Sequence, residues 1–250
     1  MKKNCESLQN ENENRIATMN DFVGKIICGD CMGVLARLPD KCIDLVLTDV
    51  PYKMDFEHGM GIRKLRPNYN KISEYGANAD VDYDLFFDLC LRKLKVVNFF
   101  TFCDKATKFE FLKIADRYGF GYREIPFCKT SPTPFANNQW LNDIEWGIHI
   151  FNKAPIYGDY MTKRGWFIVD NLKEPDINHP TPKKTFIVEK ILQNLTQENQ
   201  LVLDPFSGSG TTAVACHRLR RRFICVEKDP GYWKDSCKRL DITQRQQMLF

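Results

Sequence analysis

Short apolar runs alternate along this chain with longer stretches in which apolar residues recur every three or four positions. Seven runs read as strands: residues 25–28, 43–48, 96–102, 122–127, 144–151, 201–203 and 223–226. Six stretches between them, 32–38, 83–94, 105–118, 185–195, 211–219 and 232–240, have the spacing of amphipathic helices. Strands taking turns with helices predict an α/β chain built on a doubly wound, mostly parallel, seven-stranded Rossmann-like sheet.

Residues 1–22 are rich in Asn, Glu and Gln and carry no hydrophobic period, so they read as a flexible N-terminal extension. The folded domain then spans 23–240, and 241–250 is left as a C-terminal tail. Two stretches inside the domain break the rhythm: 53–80, rich in Gly, Asn, Arg and Lys, and 152–178, rich in Pro, Gly, Tyr and Trp. Irregular segments of that length in a compact domain are usually lids or recognition loops.

The chain has 250 residues, 43% of them hydrophobic, enough for a sizeable core. With 36 Lys and Arg against 32 Asp and Glu its net charge is only +4. No apolar run approaches the roughly 18 residues of a membrane span, and the first twenty residues are too polar for a signal peptide. A cytoplasmic protein is the expectation. Its 10 cysteines then read as reduced, mostly buried thiols. Cys28 and Cys31 make the one Cys-x-x-Cys pair, and His58, His149, His179 and His217 are scattered, so no metal site is expected.

Four of the strand-like runs lead into an acid: Asp30 after Cys28-Gly29, Asp49 after Thr48, Asp204 after Leu203, and Glu227 after Val226. Doubly wound sheets bind ligands beyond the carboxyl ends of their strands. Four acids there would make a negative crevice, suited to a cationic or hydroxyl-rich ligand. The segment Asp204-Pro205-Phe206-Ser207-Gly208-Ser209-Gly210-Thr211 passes from strand to helix through glycines that let a ligand approach the backbone. A nucleoside triphosphate loop would need Gly-Lys-Ser/Thr, which Gly210-Thr211-Thr212 does not provide. Gly208, Gly210 and Ala213 do fit the dinucleotide spacing, so the glycines alone leave a nicotinamide or flavin cofactor open.

The segment Thr48-Asp49-Val50-Pro51-Tyr52 narrows the choice. With it, the chain from about Gly24 to Leu240 resembles the S-adenosylmethionine-dependent amino-methyltransferases of DNA, which modify adenine N6 or cytosine N4. Asp204 to Thr211 is similar to that family's cofactor loop, Asp-Pro-Phe-x-Gly-Ser-Gly-Thr. Asp49, Val50, Pro51 and Tyr52 are similar to its catalytic Asp-Pro-Pro-Tyr. His179-Pro180-Thr181-Pro182-Lys183 is similar to its third signature, His-Pro-Thr-x-Lys-Pro. The catalytic motif precedes the cofactor loop, as in the permuted beta class. The resemblance implies a methyltransferase sheet on which the strands of Asp49 and Asp204 are neighbours. Its cofactor residues would be Asp30, Cys31, His179, Thr181, Lys183, Asp204, Phe206, Ser207, Gly208, Ser209, Gly210, Thr211 and Glu227. Among these, Glu227 would hold the ribose hydroxyls, Asp30 would face the adenine, Asp204 would lie near the methionine amino group, and His179 to Lys183 would wall the methionine end.

An exocyclic amino nitrogen is a poor nucleophile because its lone pair is delocalised into the ring. By the same resemblance, the Asp49 carboxylate and the Val50 carbonyl would each accept an amino hydrogen and aim the lone pair at the methyl group. Pro51 would stiffen the turn, and Tyr52 would face a base swung out of the duplex. Two positions depart from the family pattern: Val50 replaces a Pro, and Lys184 replaces the Pro after Lys183. Asp at the first catalytic position is commoner for adenine and Ser for cytosine, so adenine is favoured, with cytosine N4 as the alternative. A non-catalytic DNA- or cofactor-binding relative is the rival from another class.

Double-stranded DNA is then the expected partner, with Arg63, Lys64 and Arg66 in the first excursion and Lys153, Lys163 and Arg164 in the second as phosphate contacts bordering one crevice. Arg218, Arg220, Arg221 and Arg222 end a helix and read as structural. The last residues, Gln246-Gln247-Met248-Leu249-Phe250, resemble peptides that dock on the bacterial sliding clamp. No nuclease or helicase segment is evident, so a solitary enzyme is simpler than one half of a restriction system.

Overall fold

The computed structural model describes residues 18–52, 81–132, 140–141, 143–170 and 183–247, and the backbone of residues 5–7. The strands are β1 (Cys5–Ser7), β2 (Lys25–Cys28), β3 (Leu45–Asp49), β4 (Val97–Cys103), β5 (Gly121–Lys129), β6 (Ile144–Asn152), β7 (Phe167–Val169), β8 (Leu201–Asp204) and β9 (Arg222–Glu227). They form one sheet in the order β1-β2-β9-β8-β3-β4-β6-β5-β7. The helices are α1 (Cys31–Arg37), α2 (Tyr83–Lys93), α3 (Lys105–Arg117), α4 (Thr185–Leu195), α5 (Thr211–Arg218) and α6 (Pro230–Gln247). From β1 across to β4 every pairing is parallel, whereas β6 runs antiparallel to both β4 and β5.

Alternation of side chains along each strand divides the interior into two cores. Val46, Phe99, Leu203 and Ile224 join Val34, Phe86, Phe87 and Phe111 of α1, α2 and α3 on one face. Leu45, Leu47, Phe100, Val202 and Cys225 join Ile191, Ala213 and Leu240 of α4, α5 and α6 on the other. The central strands are apolar on both faces because helices cover both.

The seven expected strands are all present, and two more extend the edges. Residues 1–22 contain order that the polar composition hides. A 3-10 turn at Met19–Asp21 leads to the fully buried Phe22, over which Arg37 lies at 5.6 Å. The backbone of Cys5–Ser7 pairs in parallel with β2, whose outer edge would otherwise be open. At the other end, α6 continues past the last apolar residue of its period as far as Gln247, supported by an Asp241–Arg245 ion pair one turn apart. Gln246 and Gln247 are therefore helical, and the free tail read from 241–250 is corrected. Met248 to Phe250 lie outside the described residues.

Among the described residues eight cysteines are free thiols. Cys237 on α6 is disulfide-bonded, so the reading of every cysteine as reduced fails there; spacing in sequence does not say which thiols fold into bonding range. No helix among the described residues is long and apolar enough to cross a membrane.

Candidate active site

The strand order β2-β9-β8-β3 places Asp30, Glu227, Asp204 and Asp49 in that sequence along the carboxyl ends of four adjacent parallel strands. Three strand spacings separate the first from the last, about 14 Å. Each acid is held differently. Asp30 is exposed and caps α1, accepting from the amides of Met32 at 2.9 Å and Gly33 at 3.3 Å. Glu227 accepts the amide of Gly208 on one carboxylate oxygen and that of Asp229 on the other, both at 2.8 Å. Burial raises its pKa against the pull of those amides. Each oxygen keeps a lone pair for a further donor, as a vicinal diol requires.

Asp204 is 3% exposed and accepts from the amide of Phe206 at 3.2 Å. Burial pushes its carboxyl up from 3.8 to about 7, although the Thr212 hydroxyl and the Phe206 amide pull the other way. A buried carboxyl so close to neutrality suits a cation arriving beside it. Beyond it the chain turns through Gly208 and Gly210, both at positive φ, 49° and 74°. A Cβ on Gly210 would stand 2.7 Å from the Cβ of Ser236, so only glycine fits between this turn and α6. The Ser207 hydroxyl in the same turn is buried without a partner among the described residues, a polar group that a bound ligand would satisfy.

Three groups pin this loop. The Arg239 guanidinium on α6 donates to the Thr211 hydroxyl at 2.8 Å, to the Ser209 carbonyl at 3.2 Å and to the Thr185 hydroxyl at 2.9 Å. The Thr211 hydroxyl donates to the Lys183 carbonyl at 3.3 Å. Phe206 packs on Phe86 of α2 with ring centroids 5.3 Å apart. Cys31 stands next to Asp30, but its side chain is buried in the core and burial pushes its thiol up to about 12.

At the end of β3, Val50 is buried and the Pro51 carbonyl accepts from the Tyr83 hydroxyl at 2.6 Å. The Tyr52 hydroxyl donates to Asp49 Oδ1 at 2.6 Å. Burial and the Asp49 charge raise the Tyr52 pKa, so the phenol keeps its proton. The Lys183 ammonium lies 3.1 Å from Asp49 Oδ2, 3.4 Å from the Tyr52 hydroxyl and 3.9 Å from Glu145 Oε2. Burial works against its charge, but Asp49 and Glu145 together outweigh it and raise its pKa. Lys183 therefore touches Asp49. Glu145, Tyr83, Thr212 and Arg239 complete the setting, and no sequence motif marked them.

His179, Thr181, Arg63, Lys64 and Arg66, and with them all of 53–80, lie outside the described residues. Lys153 and Lys163 do not border the crevice as expected. Lys153 follows Asn152, which pairs with Val97 at the amino end of β4, because antiparallel β6 runs away from the crevice. The loop of Lys163 is tied to the far end of α4: the Tyr157 amide donates to the Asn194 carbonyl at 2.8 Å, and the Asn194 side chain to the Thr162 carbonyl at 2.8 Å. Arg164 lies over the Trp166 ring at 6.0 Å, where the chain turns back along β5 towards β7. The arginine cluster is structural: Arg221 donates to the carbonyls of Leu219 and Thr196, Arg222 to that of Asn199, and Arg218 and Arg220 pair with Glu189 and Glu198.

The model of the N6/N4 DNA methylase family matches residues 43–238, from just before β3 to within α6. The chain belongs to the DNA methylase family. As a methyltransferase of this family it uses S-adenosylmethionine. It is 26% identical to the Type II methyltransferase M.HinfI of Haemophilus influenzae, over 89% of this chain and 69% of that protein. Among solved structures, the M1.HpyAVI–SAM complex superposes with a TM-score of 0.62 at 22% identity, covering 86% of this chain and 98% of that one. The cytosine-N4-specific PvuII DNA methyltransferase superposes with a TM-score of 0.66 at 18% identity, covering 88% and 91%. At such identities these two likenesses establish the fold.

Proposed function

We propose that this DNA methylase transfers a methyl group to N6 of adenine, taken out of the duplex into the pocket beside Asp49. The observation that carries the reading is the Asp49 carboxylate at the carboxyl end of β3, with β8 and the buried Asp204 immediately alongside. When bound, S-adenosylmethionine supplies an electrophilic methyl group on a sulfonium. Glu227 would accept its ribose hydroxyls and Asp204 would face its amino group, with Phe206 and the turn of Ser207, Gly208, Ser209, Gly210 and Thr211 against the remainder. His179 and Thr181, four and two residues before Lys183, would complete the proposed wall.

Asp49 and the Val50 carbonyl would each accept one hydrogen from the amino group, which draws its lone pair out of the ring and towards the methyl carbon. Asp49 would also stabilise the positive charge that develops on that nitrogen. The surplus proton then passes to water. Tyr52 provides an apolar face against which the extruded base can stack. Arg63, Lys64 and Arg66, which follow the catalytic turn in the chain, are the proposed phosphate contacts. Lys153 and Lys163 are not, given their place at the opposite end of the sheet.

The test is nucleoside analysis by mass spectrometry of DNA from a methylation-free host expressing the protein. 6-Methyladenine supports the reading; 4-methylcytosine moves the target to cytosine; neither product, with cofactor binding retained, leaves a binding protein. Asp49→Ala is expected to abolish transfer and leave cofactor affinity nearly intact.

A further inference from the structure

Asp49, Phe102, Gly147 and Glu145 share one face of the sheet. Asp49 pairs laterally with Phe102 and Phe102 with Gly147, and Glu145 lies two residues from Gly147 along β6, hence on the same side of the pleat. Glu145 in turn pairs with Phe127 on β5, and Lys129 lies two residues beyond on that strand. The Lys183 side chain comes down onto this face from the start of α4, its ammonium 5.0 Å above the Phe102 ring. It is bracketed by two carboxylates: Asp49 Oδ2 at 3.1 Å on one side, Glu145 Oε2 at 3.9 Å on the other. Glu145 is itself fixed, because its second oxygen holds Lys129 at 2.6 Å.

Both oxygens of Asp49 already have donors, Tyr52 on Oδ1 and Lys183 on Oδ2. A target amino group has to compete with one of them. A lysine cation left against Asp49 would also neutralise the carboxylate just as positive charge develops on the nitrogen. The nearest seat for that cation is the free oxygen of Glu145, under 1 Å beyond hydrogen-bond range. We propose that Glu145 is a positioning residue: Lys183 rests on Asp49 and moves onto Glu145 when the target amino group takes its place. Lys129 keeps Glu145 aimed. This inference rests on the proposed role of Asp49 as acceptor of the target amino group.

The test is a double-mutant comparison on the full-length protein, with tritiated S-adenosylmethionine and unmethylated genomic DNA as substrates, read as single-turnover methyl transfer. Glu145→Gln keeps the shape but removes the charge that receives Lys183, and should slow transfer by about tenfold to a hundredfold, the range for losing one charged hydrogen bond. S-adenosylhomocysteine affinity, measured by calorimetry, should be unchanged and also reports folding. In a Lys183→Gln background the same Glu145→Gln change should alter the rate less than about twofold, since effects that act through one another do not add. Lys183→Arg is the second background, where a cation still needs the seat and Glu145→Gln must again be costly. A wild-type rate for Glu145→Gln, or an equal loss with and without Lys183, overturns the proposal. Asp49→Asn separates the two levels: if it retains turnover, the reading of Asp49 fails; if it abolishes turnover and the Glu145 pattern is absent, only the lysine movement fails.

Discussion

The Tyr83 hydroxyl donates to the Pro51 carbonyl at 2.6 Å, so the first turn of α2 fastens the turn that follows Asp49. Tyr83 is buried, and its ring packs on Phe111 with centroids 5.4 Å apart. Tyr83→Phe keeps that packing and removes only the hydroxyl. The turn should then lose about 1 kcal/mol of support. We expect a several-fold lower kcat with little change in cofactor affinity, and a melting temperature lower by a few degrees, checked by steady-state kinetics and calorimetry.

Asp204 has a pKa of about 7 in the fold against 3.8 ordinarily. Between those values the native chain holds a proton that the unfolded chain has shed, so this group's contribution to stability is complete below pH 3.8 and is lost as pH rises through about 7. Urea titrations of the cofactor-free protein at a series of pH values should show that decline, worth up to a few kcal/mol. Asp204→Asn should flatten it. A slope unchanged in the variant would assign the decline to other groups, Glu227 first among them.

Gly210 adopts a φ of 74°, and a Cβ there would collide with Ser236. Gly210→Ala combines a strained backbone, costing about 1–2 kcal/mol, with a forced displacement of α6. Cofactor affinity should fall by at least about tenfold. Isothermal titration with S-adenosylhomocysteine measures it; affinity equal to wild type would mean that the turn can shift at no cost.

Arg239 reaches Ser209, Thr211 and Thr185 at once with its forked guanidinium. A lysine keeps the charge but offers a single point of contact. Arg239→Lys should therefore weaken cofactor binding by about tenfold, a loss of one to two hydrogen bonds, with a smaller effect on the rate at saturating cofactor. Equal loss of kcat and affinity would indicate general loosening of α6.

Much of this architecture was legible because each central strand is a short apolar run that ends in an acid. Leu201-Val202-Leu203-Asp204 and Arg222 to Glu227 carry their position and their chemistry in the same few residues. β7 was not legible: Phe167-Ile168-Val169 is too short to show a period amid Gly, Trp and Asn, and it forms only because β5 offers an edge. Strand direction was hidden as well. Ile144 to Asn152 reads as one more apolar run, and nothing in it says that it descends where β4 climbs. That reversal carried Lys153 and Lys163 away from the crevice. Glu145 was illegible for a related reason, since a lone acid at the start of a strand gains its meaning only from register with Phe127 and from a lysine far along the chain.

The order β2-β9-β8-β3 also governs when the enzyme can exist. β2 and β3 are made long before the two strands that lie between them: Lys25 pairs with Ile224, 199 residues on (224 − 25), and Leu45 with Val202, 157 residues on (202 − 45). Contacts so remote in sequence are slow to form. A nascent chain that has emerged only as far as β6 has β3 exposed along one side and β2 detached from it by a gap two strands wide. The strand of Asp49 therefore waits for partners 157 residues further on (202 − 45), and the proposed seat of the methyl donor closes only as β8 and β9 thread between strands already made.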